Sequence, residues 1–156
     1  MPRDRFEPRT LDITRASPDG RVLVVLEWLD EIHFGPPYYS LWMRPAGSTD
    51  LLGPGRGRYH GGFARFSPDS RYLVIERWKS LRTPDNEVVL CDLELARETV
   101  LLASGPRFLR EATRVGNDWR LSLEGFDGSA WSRSLESVGT EDAWKPLGWW
   151  EPVDER

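Results

Sequence analysis

Cysteine is nearly absent from this chain of 156 residues. With Cys91 alone, no intramolecular disulfide forms and no zinc site can be built from several thiolates. Cys91 sits in "EVVLCDLEL", an apolar strand-like stretch, where a buried and inert thiol is expected. Histidine is scarce too. His33 and His60 lie outside HExxH and other metal spacings, and two histidines exclude a three-histidine centre. There is no GxSxG elbow and no phosphate-binding P-loop, so neither a metal nor a cofactor is expected. No run approaches ~18 apolar residues, which excludes a helical membrane span. The first residues, "MPRDRFEPRTLDI", are charged and lack the apolar core of a secretory signal, so a reducing cytoplasm is the expected setting. Positive charge is in deficit. There are 21 Lys and Arg against 25 Asp and Glu, a net charge of −4, which argues against a nucleic-acid binder and suits a basic partner.

What is present is a repeat. "ASPDGRVLVVLEW" from Ala16 and "FSPDSRYLVIERW" from Phe66 share seven of thirteen positions at an offset of fifty residues. In each SPD turn, proline presets φ, the aspartate bonds nearby backbone N–H groups, and Gly20 tolerates positive φ. Turn chemistry therefore explains Asp19 and Asp69 without a metal-ligand role. The flanking segments are rich in Val, Ile, Leu and aromatics, the composition of strands, so turn and flanks read as a hairpin. A second pair of strands follows each hairpin. "YYSLWMRP" runs through "AGST" to "DLLG", and "EVVLCDLEL" runs through a turn at "ARE" to "TVLLAS". A third, degenerate copy begins near "TRVGNDWRLSLEG". It puts Asn117-Asp118 in the turn and matches Leu121 to Leu73 and Glu124 to Glu76. Twelve prolines and fourteen glycines punctuate the chain as in an all-β protein.

The expected fold is all-β: one domain of about three four-stranded antiparallel units, spanning residues 10–53, 61–104 and 108–150. At this length a chain buries roughly 68–70% of its unfolded surface, enough for a real core. Eight tryptophans are expected to serve mainly that core. The run "SPDG" with Arg21, Leu23 and Val24, repeated as "SPDS" with Arg71, Leu73 and Val74, resembles the TolB-type (WD40-like, PD40) blade repeat of β-propellers. "VLCDLELARETVLL" resembles the second half of such a blade. The resemblance implies a propeller-like fold and no particular activity. Closed propellers typically have roughly 4–8 blades, and three units fall short of a ring. The units are then an open stack, a compact sandwich, or part of a ring completed by another chain. "WKPLGWWEPV" could pair with "TLDITRA" and cover an edge.

Two stretches differ between the copies. "WLDEIHFGPPYYSLW" is a long insertion between the second and third strands of the first unit. It offers Asp30, Glu31, His33, Phe34, Tyr38 and Tyr39, acids and large rings of the kind that anchor a protein partner. Alternatively, Tyr38 and Tyr39 already belong to the next strand, and alternation turns one of them to the core. "GPGRGRYHGG" carries Arg56, Arg58 and Tyr59, which could cradle phosphate or touch RNA, or form a solvated linker between units.

The expected function is non-catalytic protein binding. In size, charge and lack of a catalytic constellation the chain resembles bacterial toxin-immunity proteins, which implies a cognate toxin as partner. The alternatives are a ligand-binding or enzymatic propeller-like domain, and RNA binding through the Arg/Gly stretch.

Overall fold

The structure is a computed structural model that describes residues 11–31, 37–45, 52–80, 85–105, 107–116, 118–125, 130–135 and 144–147. All regular structure among them is strand: β1 (Ile13–Ala16), β2 (Val22–Glu31), β3 (Pro37–Pro45), β4 (Leu52–Phe66), β5 (Tyr72–Ser80), β6 (Asp85–Asp92), β7 (Arg97–Gly105), β8 (Arg107–Val115), β9 (Asp118–Gly125), β10 (Ala130–Leu135) and β11 (Lys145–Pro146). Every pairing is antiparallel. The all-β antiparallel expectation holds.

The strands form an eight-stranded ladder, β1-β2-β3-β4-β5-β6-β7-β11, and a three-stranded sheet, β10-β9-β8. β4 explains why two repeat units share one ladder. Its first half pairs with β3 (Met43 with Leu52, Leu41 with Gly55), and its second half pairs with β5 (Ala64 with Ile75, Phe66 with Leu73). His60 sits at the hand-over, opposite both Tyr39 and Arg77. β4 is thus the last strand of the first unit and the first strand of the second.

Four details differ from the sequence reading. "GPGRGRYHGG" is not a linker loop between units; it is the body of β4. Gly53 and Gly61 are there for close approach. A Cβ on Gly53 would meet the Leu41 carbonyl oxygen at 2.9 Å, and one on Gly61 would meet Glu76 Oε1 at 2.5 Å. The described part of the C-terminal segment pairs with the β7 edge, Lys145 opposite Glu98, and not with β1. The turn between β6 and β7 is Leu93–Ala96, sharing only Ala96 with "ARE", because the Asp92 carboxylate accepts from Glu94 N (3.2 Å) and Leu95 N (3.3 Å). Asp118 opens β9 opposite Val115, so the tight turn centres on Gly116 at φ 60°.

The core has two main layers, one on each face of the second unit. Leu73, Ile75, Val89 and Cys91 pack against Val24, Leu26, Leu41 and Met43 of the first unit. Val74, Val88 and Leu90 pack against Leu109, Ala112, Trp119, Leu121 and Leu123 of the third. A sheet covered on both faces reads as an unbroken apolar run, which is why "LVI" does not alternate. Each such side chain contributes about 1.5–3 kcal/mol on burial. Leu121 is buried as Leu73 is, in keeping with the third copy. Trp42, Trp78 and Trp119 are buried and serve packing.

The SPD stretches are hairpin turns of one design. Ser17 Oγ donates to Asp19 Oδ1 (2.8 Å) and accepts from Val22 N (3.0 Å), while Asp19 Oδ1 also accepts from Arg21 N (3.0 Å). Ser67, Asp69, Arg71 and Tyr72 repeat the same bonds. Gly20 and Ser70 both hold positive φ, 74° and 64°. Ser70 bears the steric cost of that conformation, and its Oγ accepts a hydrogen bond from Asp19 N at 3.0 Å. The two turns therefore touch, at the same end of adjacent units.

Candidate functional site

The first unit presents one face to the second unit and the other away from it. Tyr39 faces inward, with its ring against Gly62. Strand alternation then sends Tyr38, Ser40 and Trp42 to the outward face, with Val25 and Glu27 as their cross-strand partners. This settles the two tyrosines: both belong to β3, Tyr39 buried in the core and Tyr38 half-buried and outward. The supposed insertion is mostly strand.

A β-bulge completes the outward patch. The β2–β3 register slips between Trp28 and Asp30, and the Asp12 carboxylate holds the Trp28 N–H at 2.9 Å. The extra residue puts Asp30 opposite Tyr38, and residues directly opposite share a face. The second unit repeats the bulge between Trp78 and Ser80, but there Ser80 stands opposite Asp85. The bulge is part of the repeat; the acid–tyrosine pair is particular to the first unit.

Tyr59, on β4, meets the Tyr38 ring edge-on, with centroids 5.3 Å apart and planes at 80°. It is 38% exposed. Partial burial raises the Tyr38 hydroxyl above its ordinary pKa, and the neighbouring Asp30 charge and Tyr59 add to this. Burial likewise raises Tyr39. Three of the nine residues singled out in the sequence, Asp30, Tyr38 and Tyr59, thus converge on one acid–aromatic patch. Tyr39 supports it from the core. Glu31 ends β2 opposite Pro37. The side chains of Glu31, Arg56 and Arg58, and the whole of His33 and Phe34, lie outside the described residues.

Sequence reasoning missed two polar features. Glu76 is fully buried between the second and third units. Its Oε2 accepts from Asn86 Nδ2 (2.6 Å) and from Leu109 N of β8 (2.7 Å), the backbone donor beside the β8 bulge. Burial pushes its pKa up to about 7, against the pull of those two bonds and of the Arg110 charge. Asp92, also buried, accepts two bonds from Arg71 (3.1 and 3.0 Å) and one from Arg97 (3.0 Å). Burial pushes that carboxyl up, but the arginine bonds outweigh it and hold the pKa below its ordinary value. The sequence signal was faint: Arg71 is part of the repeat, whereas Asp92 is one acid among many. Cys91 is fully buried and its thiol is pushed well up by desolvation, so it is a packing residue.

No protein-family model and no curated protein matches the chain. Among solved structures, a prolyl endopeptidase, from a structural and mechanistic study of two such enzymes, is similar over 92% of this chain, with 14% identity and a TM-score of 0.52. TolB from Acinetobacter baumannii is similar over 85% of this chain, with 19% identity and a TM-score of 0.41. The chain spans 22% of the length of the first and 34% of the second. At these identities the likeness concerns fold alone. The chain is a small all-β domain of propeller-like antiparallel units.

Proposed function

We propose that this domain recognises a basic protein partner, with Asp30, Tyr38 and Tyr59 as anchors. The observation behind this reading is the convergence of those side chains on the outward face of the first unit. Two large rings held edge to face lose little rotamer freedom on binding, and an adjacent carboxylate favours a cationic contact. The net charge of −4 steers a basic partner in the same sense. The equivalent face of the second unit, carrying Leu73, Ile75 and Val89, is the one that docks on the first unit. In the first unit the centre of that face, Val25, Glu27, Ser40 and Trp42, is buried, and the patch is its accessible rim, with Asp30 and Tyr59 exposed.

More narrowly, the domain blocks a cognate bacterial toxin in the cytoplasm by occluding a basic cleft. Its repeat is of the TolB type, used as a scaffold and not for chemistry. Co-expression with the product of a neighbouring gene tests this. The expected result is a stable complex and rescue from that product's toxicity, both weakened by Asp30→Lys and Tyr59→Ala. Absence of complex and of rescue would overturn it.

A further inference from the structure

The first strands of the three units, β1, β4 and β8, lie side by side, with β4 touching both of the others. A groove of about 400 Å³ opens along them. Arg15, Arg65 and Arg110 line it, one from each strand, together with Phe63 and Phe66 of β4, which pack against the cores on opposite faces of that strand. The placement follows from the repeat. Arg15 pairs with Val24 and Arg65 with Val74, the same register fifty residues apart, so the repeat delivers two guanidiniums to equivalent positions. Arg110 joins them from the β8 bulge, between the Leu109–Leu123 and Glu111–Ser122 pairs.

We propose that this groove binds an organic phosphate of nucleotide size, a phosphoryl group carried on a planar ring. Three guanidiniums gathered in a chain of net charge −4 set a local field opposite in sign to the molecule as a whole. Guanidinium forks match phosphate oxygens bidentately. Arg65 already engages an oxyanion here: its Nη2 lies 2.8 Å from Glu111 Oε1, across from β4 to β8. That pair is half-exposed and so costs little to exchange for a ligand. Phe63 and Phe66 are half-buried, one on each face of β4, and the part of each that lines the groove is apolar surface for a planar group. A volume of about 400 Å³ falls within the roughly 300–1,000 Å³ range of small-molecule sites.

The site is separate from the acid–aromatic patch and stands or falls alone. The test is calorimetric titration of the full chain at low salt with adenosine monophosphate, inorganic phosphate and adenosine as probes. The nucleotide is expected to bind more tightly than either fragment and to weaken about tenfold in each of Arg15→Gln, Arg65→Gln and Arg110→Gln. Circular dichroism verifies that the variants, all at exposed positions, remain folded. Equal affinity for inorganic phosphate overturns the ring contact, and equal affinity for adenosine overturns the anion contact. Binding unchanged in all three variants, or no binding by any probe, overturns the site.

Discussion

Raising the pH from about 4.5 to about 7 is expected to weaken this fold through one residue. Glu76 is buried where the second and third units meet, and desolvation lifts its pKa from 4.5 to about 7. In that interval the native protein holds a proton that the unfolded chain has released. Stability then falls as pH rises, because the native state binds more protons. The contribution is fully present below the unfolded value and lost through the folded one. A shift of about 2.5 units at 1.36 kcal/mol per unit gives a loss of about 3 kcal/mol. The assay is urea unfolding at about pH 5 and about pH 8, on the wild type and on Glu76→Gln. The amide has nearly the same shape, and its oxygen can still accept from Asn86 and Leu109. The wild type is expected to lose about 3 kcal/mol between the two pH values, and the variant to lose little of that. The lowered carboxylates Asp69 and Asp92 titrate below this window, and any group that titrates inside it acts equally on wild type and Glu76→Gln, so the difference between the two isolates Glu76. An equal pH slope in both proteins would refute the burial argument for Glu76.

Three further perturbations test the same physical account. Asp92→Ala strips Arg71 and Arg97 of a buried shared partner and is expected to cost about 3–5 kcal/mol, read as a fall in urea midpoint. Gly61→Ala drives a methyl onto Glu76, whose Cβ would lie 2.9 Å away, and is expected to cost about 1–3 kcal/mol. Ser70→Ala keeps the positive φ but loses the bond to Asp19 N, so it should destabilise by about 1 kcal/mol, whereas Ser70→Gly relieves the φ and comes out near neutral. Thermal melts of the two Ser70 variants side by side distinguish strain from hydrogen bonding.

The architecture was legible because the repeat and its turns use local chemistry. Serine, proline, aspartate and a positive-φ residue close each hairpin almost alone, and the apolar segments beside them leave no option but strands. Position along a strand was harder to read. Glycine suggested loop across residues 53–62, because composition alone does not distinguish a glycine that bends the chain from one that lets a neighbour approach. Only Glu76 and Leu41, pressed against Gly61 and Gly53, make that distinction. The β6–β7 turn was misplaced because Asp92 caps it while also holding two arginines, and the second role has no local signature. The patch was half-visible: Asp30, Tyr38 and Tyr59 are conspicuous as residues, but their meeting depends on a bulge between Trp28 and Asp30. The arginine groove escaped notice because its three members lie on three different strands, far apart in sequence.

The most direct test of the protein-recognition account is the affinity of the cognate partner for four proteins: wild type, Asp30→Lys, Tyr59→Ala, and Arg21→Gln as a control at an exposed turn residue away from the patch. Surface plasmon resonance is expected to show a loss of about tenfold or more for each patch variant, and no change for the control. A basic partner that binds all four proteins equally would contradict the assignment of the acid–aromatic patch as the recognition surface.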